Sequence, residues 1–363
     1  MKLVFDIVIS GGGVSGSALA SSLAKQGYKV AVIERSSLDN FKAGESLSPE
    51  CKRHFSELSF QYNETTTSEY YGHISFWGSP AGSTQDFIFN PYGNGFSIDR
   101  LAFEKQLLTH AENNGVTVFM PAKTIIHQIN VTCWESNIEQ NGNRFLLRSK
   151  LVIYATGRSV RGIGEINARK FYDDLVALTI VRNGDSCDFK HLFIESHPEG
   201  WFYTNILPGS KRVYSFFTDR DVIPKQENRK SFLIDRIKSS IWAGAFDISE
   251  SLQRSKMFVS DARTYFSSCQ FGPGWFNIGD SAYTIDPLSG QGILKNLKAI
   301  EFWNDKIEAF LSDFRTIGQL YTSYNQTNFD NHLLQKMKIY GMEGRWRGSK
   351  FWTRRGIHKD ILG

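Results

Sequence analysis

Apolar positions follow two rhythms along this chain. Short, mostly apolar runs at Phe5-Asp6-Ile7-Val8-Ile9, Val30-Ala31-Val32-Ile33, Leu151-Val152-Ile153-Tyr154 and Trp275-Phe276-Asn277-Ile278 predict buried strands of a parallel sheet. Helical spacing follows at Ser17 to Lys25, through Leu107, Leu108 and Ala111, and from Ile293 to Phe302. Between these, Tyr71 to Trp77 and parts of Asp86 to Asn90 alternate apolar and polar residues, and Leu175 to Arg182, Leu192 to Ser196, Trp201 to Leu207 and Arg212 to Thr218 are strand-like runs between turn signals; together they predict an antiparallel sheet. Asn228 to Leu252 and Ile307 to Leu334 return to helical spacing, and no internal repeat is evident. The predicted class is α/β: a Rossmann-like lobe from residues 1–70, 98–165 and 262–310, an inserted antiparallel-sheet substrate lobe from 71–97 and 166–261, and a helical, basic extension at 311–363.

The chemistry sits where the buried runs end. Gly11-Gly12-Gly13-Val14-Ser15-Gly16 follows a strand and opens a helix, the context that makes such glycines a dinucleotide motif. Gly11 permits the tight turn, Gly13 lets the backbone approach a pyrophosphate, and Gly16 lets the helix pack close to the strand, while Val14 and Ser15 lie at the phosphate-facing helix start. Glu34 and Arg35 end the second strand, and an acid at this point accepts ribose hydroxyls and repels a 2′-phosphate. This half therefore calls for FAD or NAD rather than NADP. The same order of strand, acid, glycines and helix recurs at Gly279-Asp280 and Asp286-Pro287-Leu288-Ser289-Gly290-Gln291-Gly292, and Ala155-Thr156-Gly157-Arg158 is a third strand-to-glycine turn. Asp99 is placed to cap the helix that Arg100 begins, from which Arg100 can reach the cofactor.

Composition narrows the class of partner. Of 363 residues, 42 are basic and 37 acidic, a net +5 without a basic stripe, which argues against nucleic acid. No run of 18 apolar residues occurs, and the first strand begins near Met1, so a cytoplasmic protein without a membrane span is expected. Cys51, Cys133, Cys187 and Cys269 are scattered without a C-x-x-C pair, and no metal site is expected. Lys336 to Gly363 interleaves basic and aromatic residues, which fits an extension covering the substrate lobe or a docking surface for a protein partner.

The segment Gly279 to Ile293 resembles the second FAD motif of the aromatic-hydroxylase type of flavoprotein. That resemblance implies that Asp280 binds the ribityl chain, that Pro287 lies against the flavin ring, and that Gly290, Gln291 and Gly292 bring backbone N–H groups to its pyrimidine end. The turn Gly44-Glu45-Ser46 looks like the branch holding tryptophan halogenases and geranylgeranyl-reductase-like proteins. Two halogenase features are missing: Gly200 to Pro208 lacks the W-x-W-x-I-P pattern, and no lysine lies between Arg53 and Arg100. The whole pattern most resembles the LodB and GoxB group of flavoproteins, which mature quinone-cofactor amino-acid oxidases.

That resemblance implies an FAD-dependent monooxygenase, with O2 and transiently bound NADPH or NADH as co-substrates, that hydroxylates a tryptophan of a precursor oxidase protein during cysteine tryptophylquinone formation. A hydroxylase of a small aromatic metabolite and an assembly factor without turnover are the alternatives. No second dinucleotide motif is present, since Gly162-Ile163-Gly164 lacks a preceding strand. Glu45 and His73 are the candidate substrate-side acid–base groups beside Pro287, and Trp201, Phe202, Tyr203, Trp77 and Phe76 are candidates for an aromatic pocket.

Overall fold

The computed structural model describes residues 2–39, 41–42, 44–130, 132–159, 169–183, 189–245 and 251–356. Cys187 and the Gly162–Gly164 pair lie outside these residues. The buried apolar runs form a six-stranded sheet in the order Phe271–Gly272, Trp275–Asn277, Leu151–Tyr154, Ile7–Ser10, Val30–Ile33, Thr117–Phe119. All neighbours are parallel except the first pair. Its inner strands read as continuous apolar runs because both faces are covered.

Four helices matter for the site: α1 (Val14–Lys25), α2 (Arg100–Asn113), α3 (Gly292–Trp303) and α4 (Phe314–Gly341). The first three pack their apolar faces into one core with the parallel sheet. Asp99 caps α2 as its position predicts, its Oδ1 accepting the Ala102 N–H at 3.2 Å. We expect Asp99→Ala to cost about 1 kcal/mol of stability, read as a lowered thermal midpoint, because one orphan N–H at the helix start loses its acceptor.

The expected strand runs, joined by Met257–Asp261, which was not among them, build a seven-stranded sheet in the order Met257–Asp261, Leu175–Asn183, Lys211–Asp219, Gly200–Leu207, His191–His197, Gly72–Phe76, Ser83–Asp86. It is antiparallel except where His191–His197 runs parallel to Gly72–Phe76. The strand expected within Asp86 to Asn90 lies earlier. Phe87–Asn90 instead forms a turn, and Ile88 and Phe89 are 79% and 94% exposed, so their apolar character reflects no burial.

Beyond α4 the basic, aromatic tail packs against this sheet. Trp352 donates to the His197 carbonyl at 2.8 Å and meets Trp77 edge-on. Arg354 and Arg355 both bind the buried carboxylate of Asp219.

Candidate functional site

Three glycine segments distant in sequence converge at the carboxyl ends of the parallel strands. A methyl group on Gly11 (φ +114°) would lie 2.3 Å from the Ala155 carbonyl oxygen, so the first turn rests directly on the Ala155-Thr156-Gly157 turn. One on Gly279 (φ +72°) would lie 2.2 Å from Ser15 Oγ, which brings the third segment to the start of α1. Glu34 sits beside the first turn, its Oε2 accepting the Gly12 N–H at 2.7 Å and its Oε1 the Ser36 N–H at 2.8 Å. Gly157, Gly290 and Gly292 instead face open space.

These features fit a dinucleotide. Uncapped N-termini of α1 and α3 supply N–H groups for anionic and carbonyl oxygens, the glycines leave room, and Glu34 stands at the ribose position. When bound, FAD would supply the redox and oxygen-activating chemistry.

A cavity of about 220 Å3 opens beside the cradle. Asp280, Pro287, Gly290 and Gly292 form one wall, Glu45, Ser46 and Arg100 a second, and Thr179, Trp201, Tyr203 and Phe217 of the seven-stranded sheet a third. Trp201 and Tyr203 line it while Phe202 points to the opposite face, as strand alternation requires. Trp77 and Phe76 do not line it: Trp77 packs on Tyr340 and Trp352, and Phe76 against the core on the sheet's far face. Nor does His73, which sits between Tyr70 and Phe87, where burial pushes its pKa down to about 4. Arg35 is exposed beyond Glu34 and apart from the cavity.

Two charged groups define the cavity's electrostatics. Asp280 accepts from Lys295 Nζ at 2.9 Å, with Arg158 Nε at 3.9 Å; burial opposes its ionisation, but these two cations outweigh it and hold the carboxyl below its usual range. Glu45 is 6% exposed, and its Oε1 finds no hydrogen-bond partner among the described residues. Burial, only partly offset by nearby backbone N–H groups and Arg100, pushes its pKa up. The Tyr203 hydroxyl lies near Ser46, Asn205 and Glu45 without a close hydrogen bond to any of them. A buried acceptor left open beside an aromatic wall suits an N–H or O–H donor on a flat ring.

Arg100 donates to Glu104 Oε1 at 2.8 Å and to the Gly44 carbonyl at 3.1 Å, and so holds the Gly44-Glu45-Ser46 turn against α2. The motif carrying Pro287 is clamped from α4. Trp201 Nε1 donates to the Tyr340 hydroxyl at 2.9 Å, which donates to Asp286 Oδ2 at 3.1 Å, and Lys336 lies 3.3 Å from the same oxygen. Lys336 and Tyr340 were marked in the sequence only as part of the basic, aromatic tail, without a role at this motif. Lys295 was missed, although a charge inside the apolar stretch Ile293 to Leu297 was a signal for it.

A second, larger cleft of about 720 Å3 shares Glu45 and Arg100 with the cavity and carries Lys42, Lys211, Arg254 and Lys256. Elsewhere, His54, Glu57 and Glu301 approach one another within 4.8 Å, but Arg53 pairs with both carboxylates, which makes this an ion-pair cluster.

Comparison with known proteins agrees with this geometry. A tryptophan halogenase family model matches residues 6–120. The putative FAD-dependent oxidoreductase LodB of Marinomonas mediterranea is 26% identical over 97% of this chain and 96% of its own length. The chain is thus similar to LodB along almost its whole length and to the tryptophan halogenase family over residues 6–120. Its fold is that of the myxobacterial chondrochloren halogenase CndH (TM-score 0.83, 20% identity, 99% of this chain and 88% of that one). The peptidyl tryptophan dihydroxylase QhpG, essential for tryptophylquinone cofactor biogenesis, shares that fold (TM-score 0.78, 20% identity, 97% of this chain and 78% of that one). Among the described residues no helix is long and apolar enough to cross a membrane.

Proposed function

We propose that this chain is an FAD-dependent monooxygenase that hydroxylates a tryptophan side chain of a precursor protein during the biogenesis of cysteine tryptophylquinone in an amino-acid oxidase. The observation that carries this reading is the buried Glu45 carboxyl, whose Oε1 finds no partner among the described residues, beside the stacked Trp201–Phe217 wall of the cavity. An indole ring lying on that wall would present its N–H to Glu45. The near full-length match to the putative FAD-dependent oxidoreductase LodB and the fold shared with the peptidyl tryptophan dihydroxylase QhpG support this reading. O2 and a transiently bound NADPH or NADH balance the reaction, giving hydroxylated indole, water and oxidised nicotinamide.

The cradle glycines and Glu34 would hold FAD, and Asp280, kept ionised by Lys295 and Arg158, would offer an acceptor to its ribityl hydroxyls. Pro287 lies in the cavity wall beside the cradle, and the Tyr340–Asp286 clamp keeps that segment in place. Trp201 and Phe217, stacked at 3.9 Å, exclude water and orient the indole, whose N–H Glu45 receives.

Coexpression with a precursor of a quinone-cofactor oxidase, followed by peptide mass spectrometry, tests the reading. Added oxygen on a tryptophan, absent without FAD, supports it. Turnover of free indole or phenol alone would move the assignment to a small-molecule hydroxylase. Halide-dependent replacement of a ring hydrogen would move it to a halogenase, and precursor maturation that persists in a variant unable to hold FAD would move it to an assembly factor.

Glu45→Gln separates function from stability. An acid whose pKa rises on folding costs stability once the pH exceeds its unfolded value of about 4.3, and costs nothing below it. The variant is therefore expected to have a raised thermal midpoint at pH 7 but not at acid pH, together with a roughly tenfold loss in kcat/KM because an NH2 donor replaces one carboxyl oxygen.

A further inference from the structure

We infer that the substrate polypeptide is held as an added β-strand along Met257–Asp261, with acidic residues beside its target tryptophan seated in the basic cleft; this rests on the precursor-protein reading above. Met257–Asp261 is the end strand of the seven-stranded sheet, pairing through one edge with Leu175–Asn183, and among the described residues no strand pairs with its other edge. Such an edge is a template for an extended chain.

Its position joins the two openings. Lys256 and Phe258 line the basic cleft, whereas Ser260, Asp261 and Ala262 line the cavity beside the cradle. Lys256, Phe258, Ser260 and Ala262 fall on one face by the period of a strand, so one continuous face runs from the cleft to the cavity. An added strand would repeat that period. One of its side chains could enter the cavity while residues two and four positions away lie over the cleft.

Charge selects what those residues are. Arg254 and Lys256 are exposed at the cleft and pair with no carboxylate among the described residues. Lys211 makes only a loose contact with Asp99, at 3.6 Å. Phe41 stacks on Phe258 at 4.3 Å and gives the cleft an apolar floor. Aspartate or glutamate at alternate positions, with an apolar residue between them and the tryptophan, complements this arrangement.

The test uses the full chain loaded with FAD and fluorescent ten-residue peptides carrying one tryptophan flanked by acidic, neutral or basic residues, with binding followed by anisotropy. The acidic peptide is expected to bind best. Arg254→Glu with Lys256→Glu should weaken it about tenfold at low salt and less at high salt, while leaving the flavin spectrum unchanged. N-methylation of alternate peptide amides should weaken binding in one register and spare it in the other. Equal binding of all three peptides, or indifference to the double charge reversal, would overturn acidic recognition; equal tolerance of methylation in both registers would overturn strand addition. A precursor that is hydroxylated despite such results would leave the proposed function standing. Free indole turned over with no peptide bound would remove the function and this inference together.

Discussion

Gly16→Ala is expected to abolish flavin retention and to cost about 3 kcal/mol or more of stability. An added methyl would sit 1.9 Å from the Gly11 carbonyl oxygen and 3.1 Å from Ala155 Cβ. The near neighbour is backbone of the first turn, and no side chain can rotate away to relieve it. Gly11 has little room to shift, because even a methyl group on it would lie 2.3 Å from the Ala155 carbonyl oxygen. Helix α1 would have to lift from the sheet, drawing Ala18, Leu19 and Leu23 out of a core in which all three are almost fully buried. Urea unfolding midpoints and the flavin absorbance that survives gel filtration measure the two effects. Gly292→Ala is the control for stability: an added methyl there meets nothing within 4 Å, and at a helical position its unfolding midpoint should not fall below the parent's. A Gly16→Ala protein with normal flavin content would mean that the convergence of turns is not the cofactor's seat.

The second large effect is expected at Lys295→Met. The ammonium is buried and donates to Asp280 at 2.9 Å and to the Tyr283 carbonyl at 2.5 Å. Removing it leaves the carboxylate with Arg158, 3.9 Å away, and the more distant Arg100. Breaking a buried ion pair costs about 3–5 kcal/mol. Since the Asp280 side chain keeps 32% of its exposure, about 2–3 kcal/mol is the appropriate expectation. Adding Asp280→Asn should recover part of that loss, because no uncompensated charge then remains, and urea midpoints of the two single variants and the double variant measure the coupling.

The pH dependence has a definite sign. Asp280 has a depressed folded pKa, so its contribution is fully present above the unfolded carboxylate value and is lost as pH falls through the folded one. Lys295→Met shrinks that depression. Its remaining stability should therefore fall less steeply in acid than the parent's.

How much of the site could be read beforehand varied with the range of the forces involved. The capping carboxylate of Asp99, the start of α1 after Gly13, and the strand ending at Glu34 all follow from constraints within a few residues. Five of the seven strands of the substrate-side sheet were likewise marked to within about two residues, whereas Ser83–Asp86 lies earlier than expected and Met257–Asp261 was not anticipated. Lys123–Asn130 and Cys133–Gln140 were not anticipated, although they pair along most of their length in a four-stranded sheet. Lys123–Asn130 is largely exposed, so the apolar signal that marks a buried strand is weak there.

Sequence by itself determined the two glycine turns, the acid that follows the second strand, and the alternation that allows only every second residue of Trp201-Phe202-Tyr203 to face one side. Tertiary structure decided which side that was, by placing helical segments against Phe202 and the cradle against Trp201 and Tyr203. It also decided that Lys295 would answer Asp280 and that Tyr340, 54 residues beyond Asp286, would clamp it. The reason is physical: turn geometry and strand period are set by neighbouring backbone atoms, whereas the partner of a buried charge depends on which remote elements pack together.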